Sequence, residues 1–155
     1  MAKLYFRYGA MGSSKTAQAL ITNFKKKKKG RNTLLLKPSI DTRDGADIIR
    51  SRIGIEAVAE IIRPEDNICD IYLSNIVAGK YSVIITDESQ FFTPEQVDQL
   101  RHIVDFYDIP VVCYGLRTDF KTKFFPGSRR LMEVADSIAE VKTICGCGNK
   151  AIFNA

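Results

Sequence analysis

Leu4-Tyr5-Phe6-Arg7-Tyr8-Gly9-Ala10-Met11-Gly12-Ser13-Ser14-Lys15-Thr16 is the stretch whose reading decides the fold. Leu4, Phe6 and Tyr8 alternate with Lys3, Tyr5 and Arg7, the period of a strand. Ala17, Leu20, Ile21 and Phe24 then recur at i, i+3, i+4 and i+7, one apolar stripe of a helix. Between them, Gly9 to Thr16 nearly fits the phosphate-loop pattern of glycine, four residues, glycine, lysine, then serine or threonine. In such a loop the backbone N–H groups and the helix N-terminus wrap phosphates. Lys15 reaches the outer phosphates and the Thr16 hydroxyl is offered to Mg²⁺. The departure is Ser14, which stands where the pattern has its second glycine. Were that position to take a positive φ, a serine there would cost about 1–3 kcal/mol.

Working outward, Thr33 to Leu36 reads as a buried strand, and 39–64 as a polar, loop-rich excursion with a short helix and strand. Cys69, Tyr72, Leu73 and Ile76 mark a second amphipathic helix, ended by Gly79. Tyr81 to Ile85 is a short apolar strand that runs into Asp87-Glu88. Thr93 caps a helix that has Pro94 at its first position and Val97, Leu100, Val104 and Tyr107 as its stripe. Ile109 to Tyr114 and Ile138 to Ile144 are further strands. Strands alternating with helices, the central strands apolar throughout, indicate a parallel sheet covered on both faces. An apolar strand ending in two carboxylates is the arrangement of a Walker B element. Asp87 would hold Mg²⁺ opposite Thr16, and Glu88 is a candidate general base for an attacking hydroxyl.

At 155 residues the chain has about one domain's length. It contains no apolar run near the roughly 18 residues of a membrane helix. Lys3 and Arg7 interrupt the apolar start, which speaks against a secretory signal, so the expected address is the cytosol. The net charge is 23 − 18 = +5, and the five consecutive lysines Lys25 to Lys29 account for all of it. With no aromatic residues interleaved, that tract reads as a solvated helix end rather than a nucleic-acid surface. Cys69 and Cys113 lie in apolar stretches and read as small core residues. Cys145 and Cys147 flank one glycine, a spacing that favours metal over a disulfide in a cytosolic chain.

Five separated motifs stand in order from about residue 3 to the last residue. They are the phosphate loop, Asp41-Thr42-Arg43, Asp87-Glu88-Ser89-Gln90-Phe91-Phe92, Tyr114-Gly115-Leu116-Arg117-Thr118-Asp119-Phe120 and Cys145-Gly146-Cys147. Together they resemble the type II thymidine kinases, zinc-containing tetrameric deoxynucleoside kinases. The resemblance implies an α/β fold: a P-loop NTPase (RecA-like) parallel sheet with flanking helices over 1–143. It also implies, at 144–155, the first half of a small C-terminal zinc-binding, lasso-bearing domain that is cut short here. The implied activity is transfer of the ATP γ-phosphate to the 5′-hydroxyl of thymidine, a nucleotide-salvage step.

By that similarity Glu88 matches the catalytic base. The ATP and phosphate positions are Gly9, Ala10, Met11, Gly12, Ser13, Ser14, Lys15, Thr16, Asp41, Arg43, Asp87, Glu88, Ser89 and Gln90. Met11, Phe91, Leu116, Phe120 and Phe125 match the walls of the thymine pocket, while Phe92 and Phe124 read as core. Mg²⁺ falls to Thr16 and Asp87, and a structural Zn²⁺ to Cys145 and Cys147 with ligands from elsewhere. The implied partners are thymidine and ATP, with dTTP as feedback inhibitor, in a cytoplasmic homotetramer that engages neither nucleic acid nor membrane. Two alternatives stand beside it: a catalytically impaired P-loop nucleotide-binding protein, which Ser14 and the incomplete cysteine set suggest, and a nucleic-acid-binding protein that uses the lysine tract and a zinc ribbon.

Overall fold

Strands that carry apolar residues on both faces are stable only where both faces are covered, and four segments of this chain meet that condition. β1 (Leu4–Tyr8), β2 (Thr33–Pro38), β6 (Val83–Thr86) and β7 (Val111–Gly115) form the middle of a six-stranded sheet. β5 (Glu60–Ile62) and β8 (Ser137–Glu140) close its edges in the order β5-β2-β6-β7-β1-β8. Every neighbouring pair is parallel. This computed structural model describes residues 1–9, 15–28, 32–39, 48–50, 56–76, 81–119 and 121–141.

Helices cover both faces. α1 (Lys15–Lys28) packs Ala19 and Leu20 against Leu35, Val83, Ile85 and Tyr114. α2 (Ile68–Asn75), α3 (Pro94–Tyr107) and α4 (Pro126–Val134) cover the other face, where Leu4, Phe6, Leu36, Ile84, Val111 and Cys113 point. Val97, Leu100, Ile103 and Val104 are the buried stripe of α3, each contributing about 1.5–3 kcal/mol by burial. The helix starts where its sequence says it should. Gln96 N donates to Thr93 Oγ1 and Thr93 N to Gln96 Oε1, both at 3.1 Å, a reciprocal cap with Pro94 inside it.

The parallel sheet with flanking helices is the expected architecture, and several details differ. The excursion holds no helix among its described residues. It forms a hairpin, β3 (Ile48–Arg50) with β4 (Glu56–Val58), followed by edge strand β5. Helix α4 carries no apolar stripe in the sequence, because its buried residues are Gly127, Ser128 and Leu131. A Cβ on Gly127 would lie 2.6 Å from Phe92 O and 2.7 Å from Ser89 O. The first turn therefore seats by its backbone, while Leu131 further along carries a side chain into the core. Phe124, expected in the core, is 47% exposed, whereas Phe92 is buried as expected. On α2 the buried pair is Ile68 and Tyr72, with Leu73 turned outward. Strand β8 ends at Glu140, and the rest of the strand expected to Ile144 lies outside the described residues apart from Val141. Lys25 and Lys28 are exposed on the last turns of α1, as a solvated helix end requires.

Candidate active site

The carboxyl ends of the strands are where a parallel sheet with crossover helices gathers its functional groups. β1 delivers Gly9, whose N–H donates to Gly115 O at 3.2 Å, and α1 opens at Lys15, which is 8% exposed. β6 delivers Asp87, whose N–H donates to Leu36 O at 3.1 Å and whose side chain is buried. Val83 and Ile85 of β6 face α1, and alternation carries Asp87 to that same side. Tyr114 registers its presence there. Burial pushes the Tyr114 hydroxyl up, the bond to Thr22 and the charge of Arg7 pull it back, and the Asp87 carboxylate raises it again. Thr22, on α1, shares that hydrogen bond with Tyr114 at 3.1 Å.

Lys37 belongs to this set and was missed in the sequence. It follows Leu34, Leu35 and Leu36 in β2 and is 2% exposed, at the position beside Asp87 in the β2–β6 register. Lys15, Lys37, Asp87 and Glu88 all have partners in the fold. The available signal was a charge at the carboxyl end of an otherwise apolar strand. Two buried cations and a buried aspartate at the carboxyl end of the sheet are electrostatically tolerable only when paired.

Glu88 occupies an unusual backbone. Its φ of 52° and ψ of 39° are left-handed, a conformation that costs a non-glycine residue on the order of 1–2 kcal/mol. Such residues persist where surrounding bonds over-determine them. Here a single 3₁₀ turn, Ser89–Phe91, supplies those bonds. Thr86 Oγ1 and Ser89 Oγ share a hydrogen bond of 2.5 Å, and Phe91 N donates to Glu88 O at 3.1 Å. Gln90 Nε2 donates to Glu88 Oε2 at 2.6 Å. Cys113, opposite Thr86 on β7, is fully buried; desolvation pushes its thiol up to about 12 despite bonds with Thr86 and Ser89.

Three of the five expected pocket-wall residues, Phe91, Leu116 and Phe125, adjoin this turn. Phe91 and Phe125 pack edge to face with ring centroids 5.7 Å apart, and both are half-buried. Leu116 is held on both sides: its N–H donates to Gln90 Oε1 at 3.1 Å, and its carbonyl accepts from Ser128 Oγ of α4. Phe91, Leu116 and Phe125 are thus gathered around the loop that carries Glu88. Thr16 sits in the first turn of α1, without a described side chain. Ala10, Met11, Gly12, Ser13, Ser14, Asp41, Arg43, Phe120, Cys145 and Cys147 lie outside the described residues.

A buried lysine opens α1, and a buried aspartate and a left-handed glutamate follow β6, all at the carboxyl end of the sheet, a set open to more than one chemistry. Similarity to known proteins narrows it. The family model described as thymidine kinase matches residues 2–155. The chain belongs to the thymidine kinase family. The thymidine kinase of Shewanella oneidensis is 45% identical over 151 residues, 97% of this chain and 79% of that protein. That of Enterobacteria phage T4 is 45% identical over 155 residues, 100% of this chain and 80% of that one. That of Legionella pneumophila is 46% identical over 155 residues, 99% of this chain and 74% of that one. A DNA replication initiation factor of known crystal structure is a more distant likeness, at 12% identity and a TM-score of 0.47. It covers 91% of this chain and 40% of its own. Among the described residues of this thymidine kinase family member, no helix is long and apolar enough to cross a membrane.

Proposed function

We propose that this chain transfers the γ-phosphoryl group of ATP to the 5′-hydroxyl of thymidine, giving thymidine monophosphate and ADP. The observation that carries the reading is Glu88, fixed in a left-handed backbone beside the buried Asp87 and bonded within the wall formed around Leu116. The loop after β1 and the start of α1 would cradle the triphosphate with backbone N–H groups, and Lys15 would balance its outer charge. The apolar faces of Phe91, Leu116 and Phe125 suit a flat, methylated base. Glu88 would accept the 5′-hydroxyl proton as the new O–P bond forms and the bond from the γ-phosphorus to the β,γ-bridging oxygen breaks. Arg43, with Asp41, would face the charge that spreads over the transferring group.

Asp87 and Thr16 would hold Mg²⁺, both being oxygen donors of the kind that ion takes, and the burial of Asp87 fits that role. Held there with ATP, such an ion would supply charge neutralisation at the phosphates. Cys145 and Cys147 would supply two of four ligands to a structural Zn²⁺. The same reading extends to a cytoplasmic homotetramer, inhibited by dTTP. Replacement Glu88→Gln tests the central assignment. Nucleotide binding should persist while turnover of thymidine falls by about two to four orders of magnitude. Near-native phosphorylation would remove Glu88 from the role of base.

A further inference from the structure

Gln90 is 2% exposed, and both ends of its amide are committed inside the protein. Nε2 donates to Glu88 Oε2 at 2.6 Å, and Oε1 accepts the Leu116 N–H at 3.1 Å. Chemistry fixes the direction of this bridge. A carboxylate only accepts and a backbone N–H only donates, so a flipped amide would lose both bonds. The space around it is closed as well. A Cβ at Gly115 would lie 2.7 Å from Gln90 Oε1 and 3.0 Å from Gln90 N, so the glycine lets the amide lie flat against β7. From the far side, Ser128 Oγ holds the Leu116 carbonyl, tying the same residue to α4.

We propose that Gln90 is a positioning residue that ties Glu88 to the backbone of Leu116, so that the proton-accepting carboxylate and the wall of the nucleoside pocket are held as one unit. The proposal rests on the reading of Glu88 as the base and adds a mechanism to it. A nucleoside seated against Leu116 bears on the strand end that, through one amide, sets the position of the carboxylate. Fit in the base pocket is then expressed in turnover as well as in binding, because a small displacement of a catalytic group is costly. It also gives Gln90 a task other than contact with the nucleotide phosphates.

The two tasks differ kinetically. Gln90→Glu keeps an acceptor for Leu116 N–H but sets a second carboxylate where Glu88 now receives a donor. If Gln90 positions Glu88, kcat for thymidine falls by up to about a hundredfold while KM for ATP changes by less than about twofold. Gln90→Met, of similar length with neither bond, lowers kcat and also raises KM for thymidine, because the Leu116 N–H is orphaned. The pair is decided by a cycle with Glu88→Gln, each variant checked by thermal melting of the full chain. Because Gln90 acts through Glu88, the double variant Glu88→Gln/Gln90→Glu should be no slower than Glu88→Gln alone. A raised KM for ATP at unchanged kcat, or losses that simply add in the double variant, would overturn the tie. Native turnover in Gln90→Glu and Gln90→Met beside an impaired Glu88→Gln would overturn the tie and leave the base in place. Native turnover in Glu88→Gln itself would overturn both.

Discussion

Two polar networks of similar size sit on opposite sides of α3 and α4, and burial separates them. At the turn after β6, Thr86, Ser89, Gln90 and Ser128 are at most 2% exposed and every one is hydrogen-bonded. On the outer rim, Arg101 reaches Asp105 at 2.6 Å and Asp136 at 2.7 Å, while Arg130 reaches Asp98 at 2.6 Å and Glu133 at 3.1 Å. The rim bonds are as short as those of the turn, yet Asp98, Asp105 and Glu133 are about half exposed. Short distances do not rank these networks. In the turn, a lost partner strands a group with no water to replace it; at the rim, water takes over.

That contrast can be broken experimentally, beginning where the largest loss is expected. Gly127→Ala places a methyl group 2.6 Å from Phe92 O, 2.7 Å from Ser89 O and 3.0 Å from Gln90 O. All three obstacles are backbone, so α4 must move, at a cost of about 1–3 kcal/mol and several degrees in Tm. A melting curve that overlays the native one would show that α4 tolerates a wider seat on the turn. Thr86→Val keeps the shape but leaves Ser89 Oγ, wholly buried, with the Cys113 thiol as its remaining side-chain partner. Urea unfolding should place that loss at about 1–2 kcal/mol, and a value near zero would strip the buried network of its special worth.

Arg101→Ala belongs at the bottom of the scale, at under about 1 kcal/mol and shrinking further in salt. Its clearer signature is in acid. The Leu4 N–H, first, and the Arg101 guanidinium, second, hold the Asp136 carboxyl below the usual aspartate range. A carboxyl lowered in the folded state contributes stability that is complete above its unfolded pKa, about 3.9. That stability is lost as pH falls through the lowered folded value. Removing Arg101 raises the folded value, so the acid-unfolding midpoint should move slightly upward in pH. A midpoint unmoved in low salt would leave the Leu4 N–H, with the charge of Lys3, as the cause.

The two networks also differ in how far they could be read from the sequence. α3 was legible because its signals are local: Thr93, Pro94 and Gln96 stand three residues apart at most, and its apolar stripe follows directly. Glu88 was legible as a carboxylate at a strand end. Its left-handed backbone and its bond to Gln90 were not, because both depend on β7 and α4 arriving beside it. α4 was hidden for a related reason. Pro126-Gly127-Ser128 reads locally as a turn, and the close approach that makes it a helix selects small residues in place of a hydrophobic stripe. Phe124 and Phe125 are adjacent aromatics that no local period can tell apart. The fold points Phe125 at Phe91 and leaves Phe124 nearly half exposed. Lys37 was overlooked because a single charge after three leucines resembles the frayed end of a strand.

The place of β1 in the sheet has a consequence for how the protein is made. Leu4 lies opposite Val111, and Tyr5 lies opposite Ser137, so β1 is flanked by strands that follow it by more than a hundred residues. β2 and β6, paired from Thr33 opposite Val83 to Leu36 opposite Thr86, can join much earlier. At ribosomal rates of about 5–20 residues per second, β1 waits on the order of ten seconds with Leu4 and Phe6 unsheltered. Lys15, at the start of α1, follows that waiting strand in the chain, while Asp87 and Glu88 follow β6. Lys15 and the Asp87–Glu88 turn therefore come together only once β7 has joined β6 to β1.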